Sequence, residues 1–267
     1  MHLIGHATTF PYFKIATTFR PSSLAAFEAA IRGNVGASAG EVLRLRPRAT
    51  SVAPAQRSSN DIEISIGASP DELRAIEGLV RTQYIAKGYR CDGPTEPLDV
   101  AEQGRPTLPI MARANGRLLG TMTLGIDSPV GLHADDANRE HIDRLRAQGR
   151  RVGEMVKFAV SRGCDSMLVI AALVAAAHGQ WVGHGLSDVL IEVHPRHAAF
   201  YQRALCFTVI GEENICPRVS APAVLLRLNV ADLTRKIAML ERALAQSEHS
   251  PAPDSPRRPR AAASLAA

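Results

Sequence analysis

One apolar helical segment, caught between two compact strands, constrains this chain more than any other feature. From Met167 to about Gly179 the residues are Leu, Val, Ile and Ala on nearly every side, so a helix there must lie deep rather than at the surface. Val152 to Val160 precedes it and Asp188 to Val193 (DVLIEV) follows, both apolar runs of strand length. The alternation continues with a short helix from His197 to Leu205, a strand from Phe207 to Gly211 and a last strand from Ala223 to Val230. Alternating strands and helices around a buried helix place the chain in the α/β (α+β) class.

Upstream, each boundary has a local chemical reason. Ile62, Ile64 and Ile66 alternate with Glu63 and Ser65, the period of a half-buried strand over Asp61 to Ile66. Ser69-Pro70-Asp71-Glu72 supplies an N-cap, a proline at the first helical position and a glutamate at the third, with Leu73, Ile76, Val80 and Tyr84 following at helical spacing. Leu108 to Ala112 and Arg117 to Gly125 flank Asn115-Gly116, which predicts an antiparallel hairpin. Near the end, Leu233, Ile237, Leu240 and Leu244 form one apolar stripe of an amphipathic helix over 231–246.

The two ends differ in kind from this middle. Residues 1–60 are broken by Pro11, Pro21, Gly33, Gly36, Gly40, Pro47 and Pro54 and hold little periodic apolar surface, so they read as a disordered leader with little fixed structure. Residues 247–267, SEHSPAPDSPRRPRAAASLAA, read as a disordered tail, which leaves the globular domain at 61–230. The formal charge of +5 resides in the ends: the leader has seven Lys/Arg against Glu28 and Glu41, the tail three against two, and 61–246 holds 21 basic and 22 acidic residues. A nearly neutral folded part argues against a nucleic-acid partner. Cys91, Cys164, Cys206 and Cys216 include no C-x-x-C pair and are too few for a disulfide scaffold, so a cytoplasmic location is expected. No transmembrane segment is expected, because the apolar run Met167 to Ala177 falls short of the roughly 20 residues a span needs.

Four separated blocks then carry a family likeness. GTMTLGIDSPVGLHAD (120–135), GRRVGEMVKFAV (149–160), HPRHAAFYQRALCF (194–207) and CPRVSAPAVLLRLNV (216–230) resemble, in order, the FeeM-like N-acyl amino acid synthases of the GNAT N-acyltransferase fold. Acyl-homoserine lactone synthases look like more distant relatives. The resemblance implies a mixed central sheet flanked by helices and direct transfer of a fatty acyl group from a thioester to the amine of an amino acid. The co-substrate it implies is the phosphopantetheine arm of acyl carrier protein, or acyl coenzyme A, with no permanently bound cofactor. One departure stands out: Cys206 occupies the position before Phe207 where the family typically has glycine.

Such a transfer needs a base for the amine, donors for an oxyanion and a proton for the leaving thiolate. Glu154 interrupts an apolar strand and ranks first as the base; the other reading is a structural carboxylate paired with Arg150, Arg151 or Lys157. Tyr201, by resemblance, meets the departing sulfur, or else is a core tyrosine bonded to backbone. His194, at the end of DVLIEV, can shuttle a proton or bind a carboxylate. His194 and His197 form H-x-x-H, but Pro195 keeps them off one regular helix and no third ligand is evident, so no metal is expected. The expected substrate contacts are Arg196, either gripping the acceptor carboxylate or simply solvated at a helix start, Lys157, Arg162 and Gly163 on the donor side, and Phe158 and Phe200.

On the donor side, the helix start near Asp165 offers N–H groups for a phosphate. The Q/R-x-x-G-x-G/A loop of acetyl coenzyme A users is absent from Ser161 to Ser166, which favours a carrier protein. Arg144, Arg146, Arg150 and Arg151 form either its landing patch or a solvated face. The alanines of 171–177, with Gly131 and Leu132 by resemblance, either leave a groove for an acyl chain or serve close packing. Three alternatives remain open: a homoserine lactone synthase, an acyl coenzyme A dependent N-acyltransferase, and a non-catalytic acyl-chain or carrier-protein binding module.

Overall fold

The computed structural model describes residues 15–17, 62–90 and 104–249. In chain order the elements are β1 (Ile15–Thr17), β2 (Glu63–Ile66), α1 (Pro70–Ile85), β3 (Thr107–Ala114), β4 (Arg117–Ile126), α2 (Asp135–Ala147), β5 (Val152–Val160), α3 (Ser166–Gly183), β6 (Asp188–Val193), α4 (Pro195–Leu205), β7 (Thr208–Val209), β8 (Asn214–Cys216), β9 (Ala221–Asn229) and α5 (Val230–His249). The strands run β1-β2-β3-β4-β5-β6-β9-β7 across one sheet, with β8 pairing β9. Every pairing is antiparallel except β5 with β6.

Local signals explain several boundaries. Ser69 closes a full capping box with Glu72 ahead of α1. Asn115 and Gly116 both take positive φ, 50° and 74°, the conformation a two-residue hairpin turn demands between β3 and β4. The strand β1 falls within the segment expected to lack structure: it pairs Ile15 with Ile66 and covers what would otherwise be the exposed edge of β2. The remaining residues of that segment, Cys91, and the tail beyond His249 lie outside the described residues.

Helices cover both faces of the sheet. On one face α1 seats Ile76 against Met111, and α2 seats Ile142 and Leu145 against Val152, Leu190 and Leu225. On the other, α3 lies across Ile110, Ala112, Met122 and Leu124, joined by Leu205 of α4 and Leu233 and Ile237 of α5. By length and composition α3 can cross a membrane, but Val169, the run 171–177 and Trp181 are buried within the protein itself. The alanines there let helix and sheet approach closely: a Cβ on Gly120 of β4 would sit 2.6 Å from Val169.

Asp188, wholly buried at the start of β6, accepts from Ser187 Oγ (2.7 Å), Arg227 Nε (2.7 Å) and Arg150 Nε. Burial pushes its carboxyl up, but the hydrogen bonds from Arg150, Ser187 and Arg227 outweigh this and hold it below the usual range.

Candidate active site

The site originates where two parallel strands part. β5 and β6 pair only through Val152↔Asp188, Gly153↔Val189 and Glu154↔Leu190, although β5 continues to Val160 and β6 to Val193. β5 also carries one residue more than β4 between Val156 and Ala159, opposite Thr121 and Thr123, and Lys157 within it takes φ 54°. This bulge bends β5 out of the ladder at the point where it leaves β6.

A cavity of about 670 Å³ fills the opening, lined by β5 from Glu154 to Phe158, β6 from Leu190 to Val193, α1 and the β8–β9 segment. A second, of about 540 Å³, runs beside β5 from Phe158 to the start of α3. Lys87, Phe158, His197 and Tyr201 border both, so the two adjoin. Each lies in the size range of small-molecule sites, ~300–1,000 Å³.

Glu154 stands at the fork of the strands, 2% exposed. Its partners are not Arg150, Arg151 or Lys157. Oε1 accepts the His133 backbone N–H at 2.8 Å and lies 2.7 Å from His133 Nδ1, and Oε2 accepts the Ala134 N–H at 3.0 Å. Burial raises the carboxyl, but hydrogen bonding and charge from His133 prevail and hold it below the usual glutamate range. An ionised carboxylate only accepts, so His133 Nδ1 carries the proton that lies between the two groups. Space for this carboxylate comes from Gly125 across the β4–β5 ladder, where a Cβ would lie 2.7 Å from Glu154 Cγ.

The other expected residues divide between the cavities and the surface. Lys157 lines the first cavity and Phe158 both, while Arg162, Gly163 and Phe200 line the second. Tyr201 is buried between the two, its ring edge-on to Phe200 and Phe207. Burial, with Tyr84 and Tyr89 adding, pushes its phenol well above the ordinary value. Cys206 itself adopts the left-handed conformation (φ 61°) that the family's glycine would supply, so the turn closes normally, with Cys206 and Phe207 N–H groups both directed at Tyr201 O.

His194 borders the first cavity and caps α4, its Nδ1 accepting the Arg196 N–H at 3.2 Å. Arg196 is exposed, over the Tyr89 ring, and its Nε donates to His197 Nε2, so it does not line the cavity. The helix start at Asp165 is occupied by its own side chain, which accepts from the Met167 and Leu168 N–H groups. Three of the four arginines of the expected basic patch are spent on acids: Arg144 on Glu140, Arg146 on Asp127, Asp135 and Asp143, and Arg150 on Asp188. Neither Gly131 nor Leu132 borders either of these two cavities; Leu132 is packed into the α2 cluster.

Sequence reasoning missed three residues of the first cavity: His133, Glu192 and Arg218. Arg218 Nη2 reaches Glu192 Oε2 at 2.5 Å, and Glu192 Oε1 accepts from Asn138 Nδ2 at 3.0 Å. Glu192 was legible as the one polar residue of DVLIEV after Asp188 at its start; His133 and Arg218 lie in turns with no periodicity to mark them.

A mixed sheet that splays beside a bulged strand, with helices on both faces, is the architecture of an N-acyltransferase of the GNAT fold. Residues 75–229, more than half of the chain, match the family described as N-acyl amino acid synthase FeeM, and the chain belongs to that family. It is similar to the structure of FeeM, an N-acyl amino acid synthase from uncultured soil microbes, at 26% identity and TM-score 0.59, covering 66% of this chain and 94% of that one. At lower similarity it aligns with an acyl-CoA N-acyltransferase from Pseudomonas aeruginosa (17% identity, TM-score 0.45, 62% of this chain and 99% of that one). The acyl-homoserine lactone synthase LasI aligns at 13% identity and TM-score 0.46, covering 64% of this chain and 90% of that one. No curated protein matches the chain.

Proposed function

We propose that this enzyme joins a long-chain fatty acyl group, delivered as a thioester by acyl carrier protein, to the amine of an amino acid. The observation that carries the reading is the His133–Glu154 pair at the fork, facing a cavity large enough for acceptor and acyl chain. The amine attacks the thioester carbonyl carbon, the C–N bond forms and the C–S bond breaks. Its proton passes to His133, and Glu154 stabilises the imidazolium that results. Backbone N–H groups at the Lys157–Phe158 bulge meet the oxyanion. Tyr201 meets the leaving sulfur, and because burial keeps its phenol protonated it acts first as a hydrogen-bond donor there.

The donor assignment rests on charge. At the start of α3 the Asp165 carboxylate occupies the N–H groups a pyrophosphate would need, which disfavours coenzyme A. A single phosphopantetheine phosphate needs less, and Lys87 and Arg162 border the second cavity for it. The apolar stretch Met155, Val156, Leu190 and Ile191 receives the acyl chain. Cys164, Cys206 and Cys216 are free thiols, which suits the cytoplasm, where the carrier protein would be met.

The test is to incubate the purified chain with acyl carrier protein thioesters or acyl coenzyme A and a mixture of amino acids, and weigh the products. N-acyl amino acids formed from the carrier-protein donor support the reading. Product from coenzyme A alone reassigns the donor, and tight acyl binding without product shows a non-catalytic module.

A further inference from the structure

Arg196, the guanidinium that the sequence offered for the acceptor's carboxylate, lies on the surface over Tyr89. The first cavity has guanidinium groups of its own. Arg74 and Arg81 belong to the exposed side of α1, and Arg74 is paired with Asp71. Arg218 is different: it sits in the turn between β8 and β9, and its charge acts on both Glu192 and Glu154.

We infer that Arg218 binds the α-carboxylate of the acceptor, with Glu192 holding the guanidinium in place, and so restricts the enzyme to amines that carry a neighbouring carboxylate. The inference rests on the N-acyltransferase reading above. A guanidinium has five N–H donors in a planar fork, and the side-chain hydrogen bond of Arg218 to Glu192 uses Nη2. The remaining donors suit a carboxylate approached edge-on.

The supporting acid is well anchored. Glu192 is 7% exposed in its side chain and is held at Oε1 by Asn138, whose Oδ1 accepts in turn from Asn214 Nδ2 at 3.1 Å. Arg218, at 33% side-chain exposure, is both fixed by this chain and reachable by a ligand. The arrangement also suits the acceptor's amine, because Glu154 and Glu192 make the fork acidic while Arg218 supplies the positive end. A zwitterionic amino acid with its carboxylate on Arg218 would occupy the same cavity that His133 lines.

The experiment compares each amino acid with its carboxamide as acceptor, for the unmodified protein, Arg218→Lys, and Arg218→Gln combined with Glu192→Gln, which leaves no orphan charge. The unmodified protein should prefer the free acid. Both variants should raise KM for the acid, the double variant on the order of 10- to 100-fold, since a hydrogen bond to a charged group is lost. KM for the amide and for the acyl donor should stay within about twofold. Equal use of acid and amide by the unmodified protein, or a KM for the acid that the variants leave unchanged, overturns the inference while acyl transfer stands. Failure of the unmodified protein to acylate either acceptor overturns the functional reading beneath it.

Discussion

His133 Nδ1 lies 2.7 Å from Glu154 Oε1, although one belongs to a turn before α2 and the other to the first half of β5. Arg146 at the far end of α2 makes the meeting possible. It bridges Asp127 and Asp135 at 2.7 to 2.8 Å and thereby clamps both ends of the 127–135 segment over the strand. The segment that carries His133 is thus held by ion pairs in which Glu154 takes no part.

If the pair acts as one base, Glu154→Gln and His133→Gln should each lower kcat by about 10²- to 10⁴-fold, and the double variant should lose little more than either alone. Steady-state rates with circular dichroism as a control for folding measure this. Additive losses, or a kcat unaffected by either change, remove the pair from the mechanism.

Gly125→Ala tests the same carboxylate from behind. The new methyl would sit 2.9 Å from Glu154 Oε1 and 2.7 Å from Cγ, so the carboxylate must shift by several tenths of an ångström. A displacement approaching 1 Å costs on the order of 10²-fold in rate. We expect kcat to fall at least about tenfold while KM for the acyl donor holds; retention of full activity would show that the carboxylate need not sit where it does.

Cys206 is the residue that bears the left-handed turn after α4. That conformation costs a residue with a Cβ about 1–2 kcal/mol, and a β-branched one more. Thermal melting should therefore order the variants Cys206→Gly highest, the native residue next and Cys206→Val lowest. Any other order means that packing of the thiol outweighs the backbone.

Acid stability follows from Asp135, Glu154 and Asp188. Each has its folded value held below the ordinary one, so each stabilises the fold above the unfolded values of about 3.9–4.3 and loses that contribution as pH falls through the folded value. Glu192 has the opposite sign: burial raises it, and its contribution is lost as pH rises. Urea unfolding should show a steep fall in stability below about pH 4. Asp188→Asn should cost about 3 kcal/mol at neutral pH, because it breaks a buried ion cluster, and should flatten the acid limb. An unchanged acid limb would rule Asp188 out as a contributor.

Much of this molecule is legible in short stretches of its sequence. The capping box at Ser69, the Asn115-Gly116 turn and the apolar runs of β5 and β6 each carry their own reason, and β5 and β6 occupy the bounds their patterns mark out. Glu154 declared itself as an acid in an apolar strand. The helix α2 did not, although Asp135 and Asp136 at its start and Arg144 and Arg146 at its end complement a helix dipole. Its buried stripe is thin and its charges are committed to tertiary partners, so periodicity alone could not reveal it.

What the sequence by itself determined is what neighbours in the chain can settle: caps, turns, strand periods and the residue types available to the chemistry. Tertiary structure alone decided which of those residues share a cavity. It set Arg196 on the surface and Arg218 inside, gave Asp165 to its own helix and His133 to Glu154, and laid β1 along β2. The reason is physical: pairing between distant groups depends on where the sheet splays and which loops pack over it, and those positions arise from burial summed over the whole fold rather than from any local run of residues.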